Sequence, residues 1–97
     1  MITVEYIPEF VLAAAKLELD KANKLSRELA RLGEIGYMYS QTGLDIAIDV
    51  KRKLESVRNV LALVDDPVVD LQRVAIKRLI TNQNIIISNI ELMMELK

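Results

Sequence analysis

Three stretches of the chain repeat apolar residues at helical spacing. In the first, Leu12, Ala15, Leu19, Ala22, Leu25, Leu29 and Leu32 recur every three or four residues, which is one stripe of an amphipathic helix. Phe10, Ala14 and Leu17 widen the stripe at its start, while Lys16, Lys21, Lys24, Arg27, Glu28 and Arg31 cover the other side. Pro8 suits a first helical turn, where its missing N–H costs nothing. Gly33 is a plausible stop. The pattern predicts a first helix over 8–32.

In the second stretch, Ala47, Val50, Leu54, Val57, Leu61 and Val64 form a clean heptad seam. Thr42 with Asp45 three residues on matches a capping box, so a second helix is expected over 43–64. The third stretch follows at once. Asp66 is a good N-cap and Pro67 a good first residue for the next helix. The short connection implies an antiparallel hairpin. The third helix then runs over 67–96, roughly 30 residues or ~45 Å. Its apolar residues occupy two adjacent faces. One carries Val68, Leu71, Ala75, Leu79, Ile86, Met93 and Leu96; the other carries Val69, Ile76, Ile80, Ile87, Ile90 and Met94.

Two segments stay open. Residues 2–7 alternate apolar Ile2, Val4 and Tyr6 with Thr3 and Glu5, which fits a short strand or an arm equally. Residues 33–43 hold all three glycines and two of the three tyrosines. They fit a loop or a kinked helical continuation. The expected fold is therefore all-α: a single domain over 1–97 with three long amphipathic helices.

Composition narrows the chemistry. Of the 97 residues 52% are hydrophobic and 28% charged, so there is ample apolar surface to offset chain entropy and the chain is not of the disordered class. The longest uncharged stretch, Leu79–Ile90, is short of the ~18–20 residues needed to span a bilayer. No basic-then-apolar leader opens the sequence, and a soluble, cytoplasmic protein is expected. There is no Cys and no His. Thiolate zinc sites, iron–sulfur clusters and His-based nucleophile arrangements therefore lack their parts. GxGxxG and P-loop phosphate cradles are absent too. No cofactor or metal is expected, and the chain reads as non-enzymatic. A net charge of −1 offers little counterion release, so nucleic acid is not an expected partner.

The window Leu79–Ile90 (LITNQNIIISNI) is the most informative feature. On a helix Asn82 and Asn89 share the Leu79/Ile86/Met93 face. Amides on an apolar seam can fix register and oligomeric state, and the alternative is a semi-exposed polar face. Leu79, Asn82, Ile86, Asn89, Ile90 and Met93 are the candidate oligomer interface. Helix 2 is too short to cover helix 3, so a homo-oligomer is expected, a dimer in which helix 3 packs on its symmetry mate. Tyr37, Met38 and Tyr39 are a candidate patch for another protein partner, since Tyr and Met are enriched at interfaces, or else they close one end of the bundle.

Other constellations carry less. Lys51, Arg52, Lys53 and Arg58 are interrupted by Asp49 and Glu55. Residues 40–58 resemble the turn and second helix of a helix-turn-helix reader, but its base-facing positions would hold Asp45, Ile46 and Asp49. Asp65, Asp66 and Asp70 are better explained by capping and dipole compensation than by catalysis. The Asp-Pro hairpin with its long Gln/Asn-containing last helix loosely resembles small helical subunits of secretion needles and rods, over about residues 50–97. Small all-α chorismate mutases are similar in length and helix count. That likeness is one of size only: Arg27, Arg31, Arg52 and Gln83 are the residues it would offer for an anion site, and their spacing does not match. The leading expectation is a non-catalytic structural or interaction protein that self-associates through helix 3. The alternatives are a dimeric nucleic-acid-binding regulator and a bundle enzyme binding an anionic metabolite.

Overall fold

A computed structural model describes residues 8–96. The alternating segment 2–7 lies outside the described residues. The described chain is all-α, with α1 (Pro8–Glu34), α2 (Gln41–Leu61) and α3 (Asp70–Glu95). A single 3-10 turn, Pro67–Val69, leads into α3. Successive helices run antiparallel, so α1 and α3 point the same way, and both pack chiefly on α2.

The core lies in three layers along α2. At one end, Val11 of α1 meets Val64 and Val69 of the α2–α3 connection. In the middle, Ala15 and Ala22 meet Val50, Leu54, Val57 and Leu61, with Ile76 and Ile80 of α3. At the other end, Leu29, Ala47 and Ile90 close together with half-buried Met38, Leu44, Ile87 and Met94. The heptad seam of α2 is buried throughout, from Gly43 to Leu61. The start of α1 differs from its predicted stripe. Val11 is buried, whereas Phe10 and Leu17 are exposed. Val11 lies four residues before Ala15, on the same side of the helix, and Phe10 and Leu17 are turned well away from it.

Three boundaries of α1 and α2 also move, each for a local reason. Helix α1 continues past Gly33 because the left-handed residue is Gly36, at φ 80°. There the Tyr37 N–H donates to Leu32 O at 2.8 Å and the Gly36 N–H to Gly33 O at 3.3 Å. That pair of bonds is a Schellman stop. Residues 35–40 are thus a tight connection, not a continued helix. Helix α2 starts earlier, capped by Ser40, whose Oγ accepts from the Gly43 N–H at 3.2 Å. Asp45 does not complete a box with Thr42; it accepts from Gln41 Nε2 at 2.8 Å. Gly43 is required where it stands, since a Cβ there would lie 1.9 Å from the backbone oxygen of Met38.

Helix α2 ends at Leu61 instead of Val64, where the chain tightens into i→i+3 bonds from the Leu63 N–H to Val60 O and the Val64 N–H to Leu61 O, and α3 reaches back to this end. Arg73 donates from Nε and one Nη to Leu61 O at 3.3 and 3.1 Å, and also to Val64 O. Its other Nη holds Asp70 at 2.5 Å. One guanidinium thereby reaches two carbonyls at the end of α2, of which Leu61 O also accepts from the Val64 N–H at 3.2 Å. Asp66 caps as its sequence position suggests, accepting from the Val68 N–H at 3.0 Å.

Candidate association surface on the third helix

Helix α3 carries two seams side by side. The inner one, Ile76, Ile80, Gln83, Ile87, Ile90 and Met94, faces α2; Ile76, Ile80, Gln83 and Ile90 are fully buried. The outer one is Gln72, Ala75, Leu79, Asn82, Ile86, Asn89, Met93 and Leu96, at spacings of 3, 4, 3, 4, 3, 4 and 3. From Ala75 to Met94 each outer position precedes an inner one by a single residue. The two seams are therefore turned by about 100° from one another. No part of the outer seam is buried. Leu79 is 42% exposed and Leu96 72%. Leu71, Ile85 and Leu92 extend the apolar surface beyond it, all exposed.

Five of the six residues grouped by sequence as an interface, Leu79, Asn82, Ile86, Asn89 and Met93, share this outer seam. The sixth, Ile90, does not. It is 1% exposed and packs with Leu29 and Ala47 inside the chain. Being one residue beyond Asn89, it is turned toward α2 and belongs to the inner seam.

Gln83 was not distinguishable by sequence from its neighbouring amides. It is buried, and its Nε2 donates to the backbone oxygen of Ala47 at 2.9 Å. A buried amide with a satisfied donor ties α3 to one register along α2. Arg73 was missed as well. Its role depends on carbonyls that approach only when the hairpin closes, which no local pattern in the sequence reports.

Between α1 and α3 runs an apolar groove of about 380 Å³. Leu12 and Leu19 form its α1 wall, Val57 and Leu61 its floor, and Gln72, Ala75 and Leu79 its α3 wall, with Lys16 alongside. The groove is thus continuous with the first three positions of the outer seam. A second cleft, of about 500 Å³, is lined by Arg58, Arg73 and Lys77. There Arg73 is occupied by backbone carbonyls, and Arg58 lies 3.8 Å from Glu55.

The remaining candidates separate. Tyr37 is exposed, while Met38 packs into the end layer of the core and its Sδ–Cε end lies against Gly33. The Tyr37–Tyr39 segment therefore closes the bundle through Met38 and presents the Tyr37 ring outward. Arg27, Arg31 and Arg52 are exposed, and Lys51 and Lys53 half-buried. In the helix-turn-helix positions, Ile46 packs against the core and Asp45 is bound by Gln41. Among the described residues no helix is long and apolar enough to cross a membrane.

Compared with known proteins, the chain matches no family model, no curated protein and no solved structure. The functional reading therefore rests on the geometry of the chain itself.

Proposed function

We propose that this protein is a non-catalytic helical module whose role is association, and that it pairs with a second copy of itself through the outer seam of α3. The observation that carries the reading is the unpartnered seam. A heptad repeat sustained over eight positions is the pattern that lets one helix seat its side chains between those of another. Among the described residues only the inner seam finds such a partner. With its flanks, the outer surface presents on the order of 800 Å² of largely apolar area, about what one partner contributes to a standard interface. Contiguous apolar surface of that size on a small soluble domain marks an interaction site.

Two features support association in preference to ligand chemistry. Gln83, the amide that an anion-binding bundle would need, is committed to Ala47. A net charge of −1 sets up little repulsion between copies. The test is the solution mass at tens of micromolar protein by light scattering after gel filtration. We expect twice the 11.0 kDa of one chain. We expect Ile86→Glu to return the mass to that of a single chain with helical circular dichroism retained. A single-chain mass for the unaltered protein overturns the proposal.

A further inference from the structure

We infer that the second copy lies antiparallel on the first, with the two α3 helices crossing about residue 84 and the last turn of each seated in the α1–α3 groove of the other. This rests on the self-association proposed above and adds its orientation.

The outer seam is uneven in bulk. Its first positions, Gln72 and Ala75, border the recess of about 380 Å³ that Leu12 and Leu19 face from α1. Its last, Leu96, stands out from the surface at 72% exposure, with Met93 one turn before it at 38%. An antiparallel pair of heptad seams that keeps its layers sets Ala75 opposite Met93 of the partner subunit. The same alignment sets Gln72 opposite Leu96 of the partner subunit. The bulky end of each copy then meets the recessed end of the other, twice by symmetry. In-register parallel pairing would set recess on recess and bulk on bulk. The aliphatic walls of the groove would then lack partner atoms on one side, and those contacts would be lost.

Parallel pairing has one attraction, the stacking of Asn82 and Asn89 each on itself. In the reversed pair the two Asn82 side chains fall about 6 Å apart along the axis, on either side of the crossing, where a water can bridge them.

The chain has no cysteine, so engineered thiols report orientation cleanly. Ala75→Cys and Met93→Cys are made as separate proteins, each checked for helical content, and incubated together under mild oxidation. Facing positions in this pairing fall within the span that a disulfide bridges. The expected result is a disulfide-linked dimer joining residue 75 to residue 93 in the mixture, with little linkage in either protein alone. Self-linked Ala75→Cys and Met93→Cys dimers, with no link between 75 and 93, would overturn the antiparallel orientation and leave self-association standing. A single-chain mass for the unaltered protein, measured alongside, would overturn both.

Discussion

Helices α2 and α3 carry seams of equal regularity, yet they meet different ends. The α2 seam runs through Gly43, Ala47, Val50, Leu54, Val57 and Leu61, and every position is buried between α1 and α3. The α3 inner seam is buried too, but a second seam lies one residue back along it and stays open. The difference follows from position in the chain. With α1 and α3 on either side, α2 has a neighbour for its whole apolar arc. Helix α3, at the edge, has a neighbour among the described residues for only one of its two. A single stripe on a small helical domain is spent on the tertiary fold. The second stripe on the same helix has no such partner among the described residues.

The sharpest way to break the comparison is to damage one seam at a time. On the inner seam, Ile90→Ala removes a side chain that is 1% exposed. Denaturant unfolding should show a loss of roughly 2–5 kcal/mol, from lost transfer energy and the cavity left behind. A loss below about 1 kcal/mol would mean that this end of the core is loosely packed. Next in size is the fit of α2 against the preceding loop. In Gly43→Ala the new Cβ would overlap the Met38 carbonyl, so the backbone must move. Overpacking of this kind costs about 1–3 kcal/mol, offset in part by the ~1 kcal/mol that Ala gains over Gly as a helix former. Thermal unfolding should therefore still show a net loss, and a raised midpoint would refute the close approach. The smallest effect belongs to the outer surface. Leu71 is 82% exposed, and Leu71→Ala should change the stability of dilute protein by no more than about 0.5 kcal/mol. Repeating that measurement at high concentration sharpens the contrast, because a side chain covered by a second copy would then begin to count.

Much of the fold was legible because it depends on local rules. The α2 seam, the Asp66 cap and the antiparallel hairpin follow from periodicity and capping chemistry within a few residues. The stop of α1 was only half legible. Three glycines stand close together, and which of them adopts a positive φ depends on where the Tyr37 and Gly36 amides find carbonyls. Gln83 and Ile90 were misjudged for a related reason. In an Ile- and Asn-rich run every residue sits within one position of either seam, so a turn of 100° decides between core and surface. What sets that turn is the fit against α2, including the bond from Gln83 to Ala47. The surface residues Asn82, Ile86 and Met93 were legible as a face from spacing alone, although spacing could not say which face α2 would take.

The clamp made by Arg73 has a consequence for the order in which the chain gains structure. It joins α3 to the last turn of α2 across a separation of twelve residues. Closing so small a loop forfeits little chain entropy, and contacts of short sequence separation favour rapid folding. The hairpin can therefore set the angle between α2 and α3 from within its own sequence.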